Sequence, residues 1–98
     1  TMVTGAEIRG YTSTARDRDY YYLKYERRVR LEAAVKGVRD GIIRVSITDP
    51  LGYILRTKTV QGDSLETLSE MIDGGGYLLV ETVKASYDNP YEIEVRKK

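Results

Sequence analysis

The strongest structural signal in this chain of 98 residues is the segment Ile43-Arg44-Val45-Ser46-Ile47-Thr48-Asp49-Pro50-Leu51-Gly52. Apolar and polar residues alternate through its first half, and this period-two pattern is typical of a half-buried β-strand. Asp49, Pro50 and Gly52 then stand at the first, second and fourth positions of a turn, where a type I turn prefers them. We expect residues 53–60 to return beside this strand as the second half of a β-hairpin.

The same combination of a turn signal and an alternating run occurs at three other places. These are Asp17-Arg18-Asp19-Tyr20-Tyr21, Gly75-Gly76-Tyr77-Leu78-Leu79-Val80 and Pro90-Tyr91-Glu92-Ile93-Glu94-Val95. Another alternating run covers residues 29–36, and the charged residues that separate it from 20–25 favour a second hairpin. The residues before Glu7 lack the pattern and are expected to form an irregular lead-in.

Short strands at a spacing of about ten residues indicate a sandwich or barrel rather than a parallel α/β sheet. Short connections favour antiparallel pairing. The chain is long enough for one modest hydrophobic core and too short for two. We therefore predict a single all-β domain over 1–98, folded as an antiparallel, jelly-roll-like β-sandwich of seven or eight short strands.

One segment of the chain fits two structures. Asp63-Ser64-Leu65-Glu66 fits a helix capping box, and Leu65, Leu68 and Ile72 fall at helical spacing ahead of three glycines. Leu68 and Ile72 also share one face if the segment is a strand. The residues alone leave open either one short helix near 64–73 or one more strand.

The composition excludes several kinds of chemistry. The chain has no cysteine and no histidine, so disulfides, thiolate metal sites and every Ser-His or Cys-His arrangement are absent. The net charge is +1, and basic and acidic residues are interleaved, which does not favour a nucleic-acid partner. No apolar run approaches the length of a membrane span.

The acidic residues do not form an evident catalytic site. Glu66, Glu70, Glu81, Glu92 and Glu94 offer pairs of carboxylates, but such pairs do chemistry only in a pocket that shifts their pKa values. The sequence indicates no such pocket. We therefore predict no catalytic residue, no cofactor and no enzyme activity.

A second group of acids could supply oxygen ligands to calcium. Asp17 and Asp19 flank Arg18, with Glu7 or Asp49 as further candidates. No calcium-loop spacing is present, and we favour the interpretation that these aspartates shape a loop through hydrogen bonds to the backbone. No metal site is predicted.

The nine tyrosines, with no Phe or Trp beside them, are the most informative feature for binding. Tyrosine has an apolar ring with a polar end and serves interfaces well. If Tyr21 faces the core, alternation sends Tyr20 and Tyr22 outward, and Tyr53 follows a turn. We predict Tyr20, Tyr22 and Tyr53 as the binding residues; the alternative is that they only cover the outside of a sheet.

The labile residues are scarce, with one Asn, one Gln and two Met, while 32% of the residues are charged. This composition is typical of heat-adapted proteins and predicts a thermophilic source, such as an archaeon.

Taken in order, the four turn-and-strand segments resemble the pre-peptidase C-terminal domain, a β-sandwich module appended to secreted bacterial and archaeal hydrolases. The residues that carry the resemblance are 17–21, 49–52, 75–77 and 90–95. The chain is also similar to the GOLD domain, another β-sandwich. The resemblance implies a strand rather than a helix at 64–73, and an extracellular location; without it, the chain would be assigned to the cytoplasm.

The resemblance also implies a role. The expected function is that of a non-catalytic accessory module that supports the stability, secretion or substrate attachment of a hydrolase. Its partners would be a protein or polysaccharide surface, or the parent hydrolase domain. One alternative is a structural subunit of an archaeal surface, pilus or viral assembly that pairs through an edge strand. A third is a small intracellular regulatory or nucleic-acid-binding protein. The sequence assigns no oligomeric state.

Overall fold

The structure is a computed structural model that describes residues 5–11, 18–25, 27–85 and 90–97. The described residues form eight strands and no helix. The strands are β1 (Gly5–Tyr11), β2 (Arg18–Leu23), β3 (Val29–Lys36), β4 (Ile42–Thr48), β5 (Ile54–Gln61), β6 (Leu65–Ile72), β7 (Gly76–Lys84) and β8 (Pro90–Lys97).

The strands form two four-stranded antiparallel sheets. Sheet I has the order β1-β8-β3-β6, and sheet II has the order β2-β7-β4-β5. Two such sheets packed face to face, with this alternation of strands between them, are the jelly-roll arrangement. The predicted all-β, jelly-roll-like sandwich is confirmed.

Two local predictions are corrected by the strand order. Strands β2 and β3 were expected to form a hairpin, but they belong to opposite sheets. The residues before Glu7 were expected to be irregular, but Gly5 begins β1, which pairs with β8. In a jelly roll most connections cross between the sheets, so neighbours in sequence are mostly not partners.

The segment at 64–73 is a strand. Leu65–Ile72 forms β6 and pairs with β3, with Leu68 opposite Ala33 and Ile72 opposite Val29. Leu68 and Ile72 are both buried, whereas Leu65 is exposed. The three residues therefore do not share one buried face, as they would on a helix, because only Leu68 and Ile72 reach the core.

The core lies between the two sheets and follows the predicted alternation. Strands β2 to β8 all contribute buried residues to this core. The partly buried Ile8 and Tyr21 pack against them. The buried set includes Leu23, Val29, Leu31, Ala33, Val35, Ile43, Val45, Ile47, Val60, Leu68, Ile72, Leu78, Val80, Tyr91, Ile93 and Val95.

The predicted β4–β5 hairpin is present and is held by Asp49. The amide of Gly52 donates to the carbonyl of Asp49 at 3.0 Å, which closes the turn. The Asp49 Oδ1 accepts from the amides of Leu51 at 3.0 Å and Tyr53 at 2.9 Å. Gly52 has a φ of 92°, a conformation that favours glycine. The Asp49 carboxylate therefore accepts hydrogen bonds from two backbone amides of the turn.

Replacing Asp49 with alanine is expected to lower the free energy of unfolding by about 1 to 2 kcal/mol, because two turn amides lose a charged acceptor. Asp49→Asn is the matched control, since it keeps an oxygen at the same position and should cost less than half as much. Urea unfolding of the three proteins measures the difference. Equal losses in the two variants would show that the side-chain acceptor does not stabilise the turn.

The open side of the sandwich between β5 and β6 carries charges that point inward. Arg56 of β5 pairs with Glu70 at 3.3 Å, and Lys58 pairs with Glu66 at 3.2 Å. Both pairs are partly exposed, so each adds little to stability. Inward-pointing charges on an edge strand oppose pairing with a second chain.

Candidate binding surface

The outer face of sheet II can be described as three rows of residues that run across its four strands. One row contains Tyr22, Tyr77, Thr48 and Ile54. The next contains Tyr20, Leu79, Ser46 and Thr57. The third contains Arg18, Glu81, Arg44 and Thr59. The face therefore changes from aromatic at the β2 side to hydroxyl-bearing towards β5, with charges along one end.

Three tyrosines meet at the β2 side of this face, and we call Tyr20, Tyr22 and Tyr77 the tyrosine cluster. The ring centroids of Tyr20 and Tyr77 are 6.2 Å apart with perpendicular planes. Those of Tyr22 and Tyr77 are 5.4 Å apart and tilted by 47°. Both distances lie in the range where aromatic rings attract each other. The rings of Tyr20 and Tyr22 therefore both lie beside Tyr77.

Two of these rings remain open to solvent. Tyr20 is 57% exposed and Tyr22 is 60% exposed, while Tyr77 is half-buried. Tyr20 and Tyr22 were predicted from alternation to face outward, and the structure places them so. Tyr77 was not predicted as a site residue. Alternation alone puts it on the same face as Leu79, but only the pairing of β2 with β7 brings it to the other two rings.

Tyr53 stands apart from the cluster. It lies at the β4–β5 hairpin and is 69% exposed. Strand β4 separates β5 from β7, which carries Tyr77. Leu51 at the hairpin tip and Ile54 at the start of β5 are also exposed. The three predicted binding residues therefore lie at two places on the molecule, two in the cluster and one at the hairpin.

The surface beside the tyrosine cluster is polar but tightly packed. Ser46 and Thr48 are buried, and Leu79 between the tyrosines and Ser46 is 6% exposed. The hydroxyls of Ser46 and Thr57 are 2.9 Å apart. Thr48 donates its hydroxyl proton to the carbonyl of Asp49 at 3.0 Å. The floor beside the rings is thus buried and hydrogen-bonded, and of these hydroxyl groups only Thr57 lies on an exposed residue.

The charged row contains two basic residues and one acidic residue. Arg18 Nε is 3.4 Å from a carboxylate oxygen of Glu81. Glu81 lies between Arg18 and Arg44 in the strand register, so the signs alternate across the row. Glu66, Glu70, Glu81 and Glu94 each pair with a basic side chain.

Behind the cluster, the inner face of β2 is anchored by a buried hydroxyl network. Tyr91 donates its hydroxyl proton to Asp19 Oδ2 at 3.0 Å. Its oxygen lies 2.5 Å from the Tyr21 hydroxyl, which must donate because Tyr91 has only one proton. Burial raises the pKa of Tyr91 well above its ordinary value, and the hydrogen bond to Asp19 and the negative charge of that carboxylate act in the same direction. The network ties β8 of one sheet to β2 of the other.

This network corrects the interpretation of Asp19. Asp19 was expected to shape a loop, but it lies within β2 and accepts a hydrogen bond from the buried Tyr91. Asp17 and Glu7 cannot be compared, since Asp17 and the side chain of Glu7 lie outside the described residues. In the part of the chain that is described, no three acidic side chains gather in a way that could hold a metal ion.

A concave surface lies on the outer face of sheet I. It has a volume of about 470 Å³. In the register of β3 and β8, Glu32 stands opposite Arg96 and Lys36 opposite Glu92, with Ala34 opposite Glu94 between them. Opposite charges therefore face each other across the strands, which is the pattern of a solvated sheet face. No exposed aromatic ring is among its described lining residues.

The sequence has no match among family models, and a search of curated proteins finds no relative. The relationship to the pre-peptidase C-terminal domain therefore stays a prediction. Among the residues that the structure places, no helix is long and apolar enough to cross a membrane.

Solved structures share the fold. A periplasmic inhibitor of g-type lysozyme from Aeromonas hydrophila matches at a TM-score of 0.61 and 12% identity, over 97% of this chain and 87% of that one. A protein of the disulfide-linked pili of Bacillus endospore appendages matches at 0.59 and 13%, over 96% and 86%. A family 6 carbohydrate-binding module matches at 0.50 and 14%, over 99% and 83%. At these identities the likeness concerns the β-sandwich fold alone.

Proposed function

We propose that this protein is a non-catalytic binding module that attaches a partner enzyme to its substrate through the outer face of sheet II. The observation that carries the proposal is the tyrosine cluster. Tyr20 and Tyr22 expose most of their surface, yet they are held in place by Tyr77 and by a packed floor. Exposed aromatic rings in a fixed arrangement are a common feature of binding surfaces.

Two further points support an accessory role. The four ordered segments resemble the pre-peptidase C-terminal domain, whose members are appended to secreted hydrolases. The fold is shared with an inhibitor that binds lysozyme and with a module that binds carbohydrate. Tyr53 at the hairpin would make a separate contact, reached only by a ligand that extends across the sheet.

A structural subunit that pairs through an edge strand is the second candidate. Strand β5 is an edge of sheet II, and all but one of its eight residues are exposed. The pilus protein with the same fold gives some support. Against this role, Arg56 and Lys58 point inward on β5, and this chain has no cysteine with which to form linked pili. The binding module is therefore the better supported function.

Co-sedimentation tests the proposal. The purified protein is mixed with insoluble polysaccharides and, separately, with insoluble proteins such as collagen, and the sedimented fraction is measured. We expect retention on at least one material and loss of most of it in the double variant Tyr20→Ala/Tyr22→Ala. Leu65→Ala is the matched control, because Leu65 is 71% exposed but lies on the other sheet.

Retention of the double variant at the wild-type level would contradict the proposal, as would the absence of retention on every material. Thermal unfolding of each variant shows whether the fold is intact. Exposed substitutions of this kind change stability by about 1 kcal/mol or less, so the variants should remain folded.

A further inference from the structure

We propose that the tyrosine cluster binds the face of a sugar ring in a neutral polysaccharide. This inference rests on the proposed function and assigns its ligand class. A sugar ring presents C–H groups on its face and hydroxyl groups at its rim. The face of an aromatic ring carries negative charge density that attracts such C–H groups. An exposed tyrosine with polar neighbours therefore suits both parts of a sugar.

The spacing of Tyr20 and Tyr22 along β2 fits a ligand of this size. Tyr20 and Tyr22 are two residues apart on β2, so their Cα atoms are roughly 6 to 7 Å apart along the strand. This is comparable with the width of one sugar ring. Tyr77 contacts both rings from β7 and limits their rotation. The cluster loses little side-chain freedom on binding, which favours affinity for a small ligand.

The exposed area of the tyrosine cluster is by itself too small for a stable protein interface. A buried aromatic side chain covers roughly 200 Å². With exposures of 57% and 60%, Tyr20 and Tyr22 together offer roughly 230 Å². A stable protein partner buries about 800 Å² on each side. The cluster alone is therefore better matched to a sugar chain than to a folded protein.

The charges beside the cluster favour a neutral chain. Arg18 is paired with Glu81, and Glu81 separates Arg18 from Arg44 in the register. Such a row offers both donors and acceptors to sugar hydroxyls, and hydrogen bonds to charged groups are the stronger kind. Its net charge is only +1 and Glu81 separates its two arginines, so it lacks the cluster of positive charge that recognition of an anionic polysaccharide would require.

Tyrosine fluorescence gives a direct assay, because the chain has nine tyrosines and no tryptophan. The protein is titrated with soluble oligosaccharides of glucose, xylose and mannose, with alginate as the anionic comparison. We expect saturable binding of at least one neutral oligosaccharide. Tyr22→Ala should weaken it about tenfold, whereas Tyr22→Phe should keep it within about twofold, since the ring makes the contact. Leu65→Ala should bind like the wild type.

Three outcomes would overturn this inference. They are binding of alginate alone, neutral binding that Tyr22→Ala leaves unchanged, and no binding of any neutral oligosaccharide. In the last case the co-sedimentation experiment separates the two proposals. Retention on insoluble protein that depends on Tyr20 and Tyr22 would keep the binding module and remove the sugar. No retention on any material would remove both.

Discussion

Replacing Tyr91 with alanine is expected to lower the free energy of unfolding by about 3 to 5 kcal/mol. The side chain is fully buried, so its removal leaves a large cavity between the sheets. Its loss also takes the hydrogen-bond partner from Asp19 and Tyr21. A domain of this size is stable by about 5 to 15 kcal/mol, so the variant should be close to unfolding.

Tyr91→Phe separates the packing from the hydroxyl network. It keeps the ring and removes only the hydroxyl, and the cost should be about 1 to 3 kcal/mol because polar groups of Asp19 and Tyr21 lose their partner. Tyr53→Phe is the matched control, since it removes a hydroxyl from an exposed tyrosine and should change stability by less than about 0.5 kcal/mol. Urea unfolding measures all three variants. A loss in Tyr91→Phe no larger than that in Tyr53→Phe would show that the network does not hold the sheets together.

The same network predicts a loss of stability at alkaline pH. Burial raises the pKa of Tyr91 in the folded protein above the value of 10.0 of an ordinary tyrosine. The unfolded chain therefore releases this proton first, and folding stability falls as the pH rises above about 10. Below that pH the contribution is constant. In Tyr91→Phe this part of the alkaline decline should be absent, which urea midpoints between about pH 8 and about pH 11 would show.

Gly76→Ala is expected to destabilise the protein by about 3 kcal/mol or more. Gly76 begins β7 and lies opposite Leu23 of β2. A Cβ at this position would stand well inside contact distance of the Thr48 carbonyl oxygen on β4. The obstructing atoms belong to the backbone, so relief would require β4 and β7 to separate at the end that carries Tyr77. We therefore expect a loss of both stability and tyrosine-cluster geometry.

Gly62→Ala is the control for this prediction. Gly62 has a φ of 59°, and a Cβ there would meet no atom within 4 Å. Its cost is only the strain of a left-handed residue, about 1 to 2 kcal/mol. Chemical unfolding compares the two. If Gly76→Ala lowers the free energy of unfolding no more than Gly62→Ala does, Gly76 does not lie as close to the Thr48 carbonyl as the structure places it.

The parts of the fold that could be predicted from the sequence are those determined locally. The β4–β5 hairpin follows from Asp49 and Gly52, which act within one turn. The burial of Leu31 and the exposure of Tyr22 follow from alternation within single strands. Strand order could not be predicted in this way, because β2 pairs with β7 and β1 with β8 across most of the chain. The first two residues of β1 were expected to be irregular for the same reason, since the pairing of β1 with β8 rather than its own pattern identifies the strand.

The candidate site shows the same limit. Tyr20 and Tyr22 were predicted because alternation fixes which side of β2 they occupy. Tyr77 joins them only through the pairing of β2 with β7, and Tyr53 is separated from them by β4. The buried contact of Asp19 with Tyr91 depends on packing between sheets, which no local pattern encodes. The single domain, the heat-adapted source and the accessory role stay predictions.

The most direct test of the binding surface is to map amide chemical shifts of the ¹⁵N-labelled protein during titration with a neutral oligosaccharide. The binding-module account predicts that the largest changes fall on β2 and β7 around Tyr20, Tyr22 and Tyr77, with the amides around Ala34 on sheet I unchanged. Two results would contradict it. One is that the changes centre on the concave surface of sheet I around Ala34, and the other is that no ligand retained by the protein changes the amides of β2 and β7.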